Sequence, residues 1–416
     1  MMSHNPKTIK TKTYTKQKSN FAASKVYGVT LVELMIAITI GSIVAIGISS
    51  VYTSSKRSFK LQEEFSHLQE NGRFAMNYIA RFVRSAGYSG CSSALDSMVN
   101  NLDSNDEEFL FRTGVEGYEA DKTAPSDNLV TLEEYPSIAS SSAADYVSIS
   151  SAISATLFAK LDPLPHTDII AARVAESSGI EIIDDTDSAN FHVNYTGGLG
   201  NGACSTGDDR LSGICPGDTV LISDCKKSLL FLVTKADPAA TPTSPTEVLI
   251  VHSGNASATG LKNVKSSFTT AAAGPEYEFE TGSEIVKMTT KFFYIGEGKT
   301  GPALFVKSGE ETVGTELVEG IENLQVLYGE DTDADNIPNR YVPATNVVNY
   351  ANVTAVRLSV LLRSVKNLPW RTAASKPYLL GGSTAGSATT INSPSDKRLR
   401  RTMSMVIKLR NRAFSL

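Results

Sequence analysis

Hydrophobic residues are concentrated in one run near the start of the chain. Residues 28–52 have the sequence GVTLVELMIAITIGSIVAIGISSVY, in which Glu33 is the single charged residue. About 20 apolar residues in a helix are enough to cross the roughly 30 Å of hydrocarbon in a bilayer. We therefore predict a membrane-spanning helix over residues 29–52.

Beyond this run the apolar residues continue at helical spacing. They recur three and four positions apart and form one stripe: Leu61, Phe65, Leu68, Gly72, Ala75, Met76, Ile79, Phe82 and Val83. Such a stripe is typical of a helix that packs one face on a core. We predict an amphipathic helical half over residues 53–86, stopped by Gly87 because glycine commonly follows a helix end.

Residues 87–416, here called the head, have a different pattern. Short segments rich in β-branched or aromatic residues alternate with Gly, Pro, Ser and Asp, which is typical of strands and turns. A head of about 330 residues exceeds the usual size of one domain and leaves room for an inserted sub-domain near residues 95–200. The clearest strand candidates are Tyr146–Ser150, Thr219–Ser223, Leu229–Thr234, Glu247–His252, Lys291–Ile295, Leu324–Tyr328, Ala355–Leu362 and Met403–Leu409. The predicted fold class is α+β.

Residues 1–28 form a basic leader with six lysines and no Asp or Glu. Positively charged flanks stay in the cytoplasm, so we expect the head to be exported. Loss of the leader would take the formal net charge from −5 to about −11. An acidic exported domain argues against non-specific nucleic-acid binding through overall charge.

The segment Gly28-Val29-Thr30-Leu31-Val32-Glu33-Leu34 resembles the processing signal of type IV prepilins. The resemblance implies that a prepilin peptidase cleaves after Gly28 and methylates the new N-terminus at Val29, where the family more often has Phe. An unpaired carboxylate at bilayer depth costs at least ~2.5–3.5 kcal/mol, so Glu33 requires a partner. The resemblance implies pairing with the N-terminal amine of a neighbouring subunit. A glutamate that only reaches to the headgroups is the alternative.

Several further segments resemble the PilW family of minor pilins. They include QENGRFA at residues 69–75, AGYSGC at 86–91, the run from Val318 to Gly329 and the ending Leu409–Arg412. The implied fold is type IV pilin-like, with one long N-terminal helix, membrane-spanning then amphipathic, packed on a β-rich globular head. The implied role is to prime type IV pilus assembly at or near the pilus tip, supporting twitching motility, adhesion or DNA uptake.

The resemblance also implies partners and a location. The partners would be other minor pilins, the major pilin, the prepilin peptidase, the inner-membrane assembly platform and a large tip adhesin. The protein would stand in the inner membrane with its head in the periplasm, and later at the pilus tip on the cell surface. A J-class pseudopilin of type II secretion and an adhesin-like binding module are the alternatives.

The sequence contains none of the catalytic motifs that we considered, so it does not indicate an enzyme. The five histidines are scattered, and no GxSxG motif occurs. Gly296-Glu297-Gly298-Lys299-Thr300 contains the GKT of a phosphate loop, but such a loop needs glycine where Phe293 stands. We predict a hairpin turn there, no catalysis and no required cofactor.

The four cysteines, Cys91, Cys204, Cys215 and Cys225, all lie in the head. An even number in an oxidising compartment indicates two disulfides, with three connectivities. We favour Cys204–Cys215 and Cys91–Cys225. Zinc is the alternative, although no pair of CxxC motifs and no nearby histidine supports it.

One segment resembles the start of a calcium loop. Asp331, Asp333 and Asp335 stand at alternate positions, a spacing that lets carboxylates converge on one hard cation. Asn336 replaces the usual glycine, and Val342 stands where a bidentate glutamate is expected. The sequence therefore favours a solvated acidic turn between two strands, with a calcium site at these three aspartates as the alternative.

Overall fold

A computed structural model describes most of the chain and divides it into two compact units, Met1–Lys60 and Leu61–Leu416. The described residues are 28–88, 98–103, 106–111, 113–125, 127, 129–149, 151–183, 190–194, 214–224, 226–238, 247–254, 260–264, 279–309, 311–382 and 388–411.

Helix α1 (Leu31–Ser85) accounts for most of the helical residues in the described chain. It ends within one residue of the predicted boundary, and Gly87 follows with φ +78°. A second, short helix, α2, spans Ala155–Leu161 and is capped by the Ser154 hydroxyl. The described residues include four single turns of 3₁₀ helix, at Glu107–Phe109, Ala143–Asp145, Ala344–Asn346 and Tyr350–Asn352.

The remainder of the described chain is dominated by strands, which confirms the α+β prediction. They are β1 (Met98–Asn100), β2 (Val115–Ala120), β3 (Val130–Thr131), β4 (Tyr146–Ser148), β5 (Ser151–Ala152), β6 (Ile169–Ile182), β7 (Asn190–Asn194), β8 (Thr219–Ser223), β9 (Ser228–Leu232), β10 (Lys235–Pro238), β11 (Glu247–Val251), β12 (Glu284–Gly298), β13 (Gly301–Ser308), β14 (Thr315–Glu319), β15 (Ile321–Glu330), β16 (Arg340–Val342), β17 (Val353–Arg363), β18 (Pro377–Leu380), β19 (Thr389–Asn392) and β20 (Arg400–Lys408).

The described strands form three sheets. The largest has thirteen strands, with the main order β1-β9-β8-β12-β6-β2-β4-β5. A four-stranded antiparallel sheet has the order β16-β15-β17-β20, and a smaller one has the order β18-β19-β3. The β12–β13 connection is the two-residue turn Lys299-Thr300, which confirms the predicted hairpin at the GKT sequence.

The second half of α1 packs on the core of the larger unit. Ala75, Ile79 and Val83 are fully buried and share a cluster with the inward residues of β15 and β17. Leu61, Phe65 and Phe82 are partly buried against the same cluster. The predicted apolar stripe is therefore the face that α1 buries.

Close approach of α1 to the four-stranded sheet depends on Gly72. A Cβ built on Gly72 would lie 2.4 Å from the Met403 sulfur and 2.9 Å from a Leu362 methyl group. Contacts this short require neighbouring atoms to move, since packed interiors have almost no spare space. Close packing against the sheet therefore explains why a glycine stands in the QENGRFA segment.

Strands from the region of the predicted insertion take part in the large sheet. β2 and β6 pair with each other, and β6 also pairs with the long strand β12. The predicted division into domains and the inserted sub-domain near residues 95–200 stay predictions.

Candidate assembly site

The start of α1 is closed by a reciprocal cap. The Thr30 backbone N–H donates to Oε2 of Glu33 over 3.0 Å, and the Thr30 hydroxyl donates to the same oxygen over 2.9 Å. In return, the Glu33 backbone N–H donates to the Thr30 hydroxyl oxygen over 3.2 Å. This is a capping box, which satisfies N–H groups that a helix start otherwise leaves unpaired. The T-x-x-E spacing in the sequence signals it, although the sequence analysis treated Glu33 only as an assembly residue.

The predicted processing site lies directly before this cap. Gly28 and Val29 are exposed and non-helical, and a Cβ built on Gly28 would meet no atom within 4 Å. A protease requires an accessible peptide outside a helix, and this segment is both exposed and non-helical. Cleavage after Gly28 and methylation of Val29 stay predictions.

The apolar half of α1 contains hydroxyl side chains that bond within the helix. Thr39 donates to the Met35 carbonyl over 2.9 Å, Ser42 to the Ile38 carbonyl over 2.7 Å, and Thr53 to the Ser49 carbonyl over 2.8 Å. Side chains satisfied in this way do not oppose insertion into hydrocarbon. By length and composition α1 can cross a membrane.

The acidic loop after β15 is organised around one aspartate. Asp331 is buried, and its Oδ1 accepts from the backbone N–H of Asp333 (3.2 Å) and of Ala334 (2.7 Å). Its Oδ2 accepts from the backbone N–H of Asn336 over 2.8 Å. Ala334 and Asn336 adopt positive φ angles of 63° and 65°. The loop is thus folded around the first carboxylate.

This arrangement fits a cation in part. One oxygen from each of Asp331, Asp333 and Asp335 lies within 4.8 Å of the others, and the last two side chains are exposed. Asn336 adopts the left-handed conformation that glycine usually supplies in such loops. The calcium site stays a prediction.

Cys215 is the described member of the four cysteines and is disulfide-bonded. Its backbone N–H donates to the Asp218 carboxylate over 2.7 Å. Cys91, Cys204 and Cys225 lie outside the described residues. The predicted pairing, Cys204–Cys215 with Cys91–Cys225, stays a prediction.

Two family matches cover the ends of the chain. The family described as the prokaryotic N-terminal methylation motif matches residues 23–49, which include the Thr30–Glu33 cap. The family described as PilW, type IV pilus-assembly protein W, matches residues 292–411, from within β12 to beyond β20. No curated protein and no solved structure matches the chain.

The chain is thus similar to the PilW family over residues 292–411 and to prepilins at its N-terminal motif. The two matches support a minor pilin related to type IV pili, anchored in a membrane and interacting with other pilus components. Both matched families are structural rather than enzymatic.

The PilW-matched part of the chain contains a buried ion cluster that the sequence did not predict. The Arg400 guanidinium contacts Glu322 through Nε (2.5 Å) and Nη2 (2.8 Å), and Asp396 through Nη1 (2.5 Å) and Nη2 (2.7 Å). All three side chains are less than one-tenth exposed. The cluster joins β15 to the start of β20. Neither the charges nor their spacing in the sequence distinguishes them from solvated residues.

The head also buries a pair of carboxyl groups. The Asp168 carboxylate accepts from the backbone N–H groups of Ala120 (3.1 Å) and Val326 (2.8 Å) and from the Thr123 hydroxyl (3.3 Å). That hydroxyl also lies 3.2 Å from Glu119 Oε1. Burial raises the pKa of Asp168 to about 7. Burial and the nearby Asp168 carboxylate hold the pKa of Glu119 well above its usual range.

A third buried charge lies on β13. Lys307 is fully buried, contacts the Glu108 carboxylate and donates to the Gly309 carbonyl over 2.6 Å. Lys160 contacts the other Glu108 oxygen at 2.8 Å. Burial lowers the pKa of Lys307. These groups tie α2, the 3₁₀ turn at Glu107–Phe109 and β13 together, which gives them a structural use.

Proposed function

We propose that this chain is a minor pilin that helps to prime type IV pilus assembly and stands at or near the pilus tip. The observation that carries the proposal is the combination, in one chain, of a processing and methylation motif with a C-terminal PilW match. The first supplies membrane insertion and helix docking. The second supplies a head of the kind used in pilus assembly.

Docking between the helices of neighbouring subunits would give the Glu33 carboxylate a function. A carboxylate within an apolar helix is costly unless it has a partner. After cleavage at Gly28, the new amine at Val29 would be a cation at the same depth in every subunit. Pairing between the Glu33 carboxylate of one subunit and the amine of the next would therefore select the correct axial offset between helices.

Placement at the tip is supported by the size of the head. The larger compact unit extends from Leu61 to Leu416 and contains a thirteen-stranded sheet in its described part. Repeated use of such a bulky unit along a thin filament would bring neighbouring heads into steric conflict. A few copies at one end avoid that conflict.

The proposed partners follow from this position. They are other minor pilins, the major pilin, the prepilin peptidase, the inner-membrane assembly platform and a large tip adhesin. The head would be periplasmic before assembly and exposed at the cell surface afterwards. Twitching motility, adhesion and DNA uptake would depend on the protein through the pilus, without catalysis and without direct binding of nucleic acid.

Surface pili counted in a deletion strain test this proposal. The strain would be complemented with the wild-type chain, with Glu33→Ala, or with Glu63→Ala as a control on an exposed glutamate of the same helix. We expect the wild type and Glu63→Ala to restore pili and Glu33→Ala to fail at equal protein level.

Two other results would redirect the assignment. Normal pili with a defect in protein export would indicate the secretion pseudopilin. Normal pili with loss of attachment would indicate a binding module whose head, not its assembly role, carries the function.

A further inference from the structure

Strand β20 is a long edge strand in the PilW-matched region. It has nine residues and is hydrogen-bonded to β17 alone among the described strands, although β18 of the smallest sheet also lies near it. On the opposite edge of the same sheet, β16 has three residues. The nine β17–β20 pairs, from Arg363↔Arg400 to Ala355↔Lys408, run without a register shift. An edge of this length and regularity is a template for another strand.

The register identifies the backbone groups that face outwards. The Ser364 N–H donates to the Leu399 carbonyl over 2.8 Å, and the Leu409 N–H donates to the Thr354 carbonyl over 2.9 Å. Both are directly opposed pairs in the extended β17–β20 register. Opposed pairs in an antiparallel ladder alternate between bonded and non-bonded.

The bonded positions of the strand are therefore the odd-numbered residues. It follows that the even-numbered residues turn their N–H and C=O groups towards the free edge: Thr402, Ser404, Val406 and Lys408.

The same positions are accessible from outside. Ser404, Val406 and Lys408 are exposed, and the Val406 side chain is 50% exposed. Met405 and Ile407, which alternate with them, belong to the cluster that packs on α1. The outward positions from Ser404 to Lys408 are thus accessible, while the inner face of the strand packs on the core.

Natural edge strands are usually protected by proline, bulges or inward-pointing charge. The central residues 402–407 have the sequence TMSMVI, with no proline, glycine or charge. Charged residues stand only at the two ends. This strand therefore lacks the usual protection along six consecutive positions.

Charge indicates what the edge would accept. Residues 397–411 contain no Asp or Glu, and their exposed basic residues are Lys397, Arg401, Lys408 and Arg410. The preceding carboxylate, Asp396, is already engaged by Arg400. Charge complementarity fixes register and speeds encounter more than it adds affinity. An incoming strand with acidic residues would match both ends of β20.

We propose that the free edge of β20 binds an extended, acidic segment of another pilus subunit, which joins the sheet as an added strand. Main-chain hydrogen bonds to Ser404 and Val406 would supply the pairing, and the flanking basic residues would set the register. The inference deepens the proposed function and rests on it, because it assigns the head a surface for assembly with a different subunit.

A photo-crosslinker at Val406 in the full chain tests this, expressed in the deletion strain with all other pilus genes present. After irradiation, mass spectrometry would identify the crosslinked peptide. We expect an acidic, extended segment of another pilus subunit. Ser404→Pro removes one outward N–H and leaves the β17 ladder in place, so crosslinking should fall about two- to tenfold. Ser404→Ala keeps that N–H and should crosslink as the wild type does.

A charge-reversal variant tests the same edge independently, in case the proline variant fails to fold. Arg401→Glu with Lys408→Glu should also lower crosslinking, while Lys262→Glu, at an exposed site in another loop, should not. Absence of a crosslink, equal crosslinking in Ser404→Pro and Ser404→Ala, or a crosslink to a second copy of this chain would overturn the inference. Restored pili in such a strain would leave the proposed function intact, whereas failure of the wild-type chain to restore pili would remove the function itself.

Discussion

Thr30 and the Glu33 carboxylate are hydrogen-bonded to each other at the start of α1. Oε2 of Glu33 accepts both bonds, one from the Thr30 backbone N–H and one from the Thr30 hydroxyl. Oε1 takes no part in the cap. Glu33 can therefore close its own helix and still present an oxygen to a cation from a neighbouring subunit. This relationship gives the carboxylate of an otherwise apolar helix segment a partner within its own chain.

Removal of the Thr30 hydroxyl should loosen the helix start. Thr30→Val loses two of the three bonds in the cap, and loss of an N-cap costs about 1 kcal/mol. In detergent micelles we expect the Glu33 amide to exchange its hydrogen about fivefold faster than in the wild type. Thr30→Ser keeps the hydroxyl and is the control. Equal exchange rates of the Glu33 amide in the valine and serine variants would show that the cap does not stabilise the helix start.

The buried carboxyl pair makes stability of the head depend on pH. The pKa of Asp168 and that of Glu119 are both raised on folding, so the folded state binds protons more tightly than the unfolded state. Their stabilising contribution is present below the unfolded pKa values and is lost as the pH rises through the folded ones. The urea concentration at the midpoint of unfolding should therefore decrease as the pH is raised from about 5 to about 8.

Two amide variants, one at each position, distinguish the contributions of the two carboxyl groups to stability. Asp168 accepts bonds from two backbone N–H groups, which favours its ionised form, whereas Glu119 accepts one longer bond of this kind, from Ala344 (3.4 Å). Glu119 is therefore the group expected to keep its proton. Glu119→Gln should be tolerated and should flatten the pH dependence. Asp168→Asn should destabilise the head by about 1–3 kcal/mol because its amide would face an N–H donor. The reverse order of stabilities would contradict this assignment.

The Arg400 cluster should be essential for folding of the PilW-matched region. Arg400→Leu leaves Glu322 and Asp396 buried without their main cation, and breaking such a pair costs about 3–5 kcal/mol. Arg401→Leu, at the exposed neighbouring position, should change stability by less than about 0.5 kcal/mol. Thermal unfolding of the two full-length variants in detergent measures the difference. Similar melting temperatures would mean that the buried ions are replaceable.

Calcium should stabilise the loop after β15 if the three aspartates form a site. A ligand present at 100 times its Kd adds about 2.7 kcal/mol to the free energy of unfolding. We expect calcium to raise the melting temperature, and chelation to reverse it. Asp333→Asn with Asp335→Asn should remove the response without disturbing the bonds that Asp331 makes within the loop. An unchanged melting temperature in the wild type would leave the loop as an acidic turn.

The sequence predicts elements whose signal is local. The apolar run, the stripe from Leu61 to Val83 and the stop at Gly87 give both ends of α1 to within two residues. All eight predicted strand segments overlap observed strands. Their apolar and β-branched residues are short-range signals that do not depend on partners elsewhere in the chain.

Features that depend on long-range contacts were missed. β6 begins with the buried run IIAARV but continues through AESSGIEI, so its fourteen residues show no simple alternation. Arg400 and Glu322 are far apart in the sequence, and only the pairing of β15, β17 and β20 brings them together. The Asp168–Glu119 pair likewise arises from the packing of β2 beside β6 and β15. Charge patterns along one chain contain no information about such encounters.

Labelling of sheared pili with gold-conjugated antibody against the head tests the central claim most directly. A minor pilin that primes assembly should give label at one end of the filament, in few copies, and the Glu33→Ala strain should give none on any filament. Label spread along the filament length would contradict the tip position. Label confined to the cell envelope in a normally piliated strain would contradict membership of the pilus.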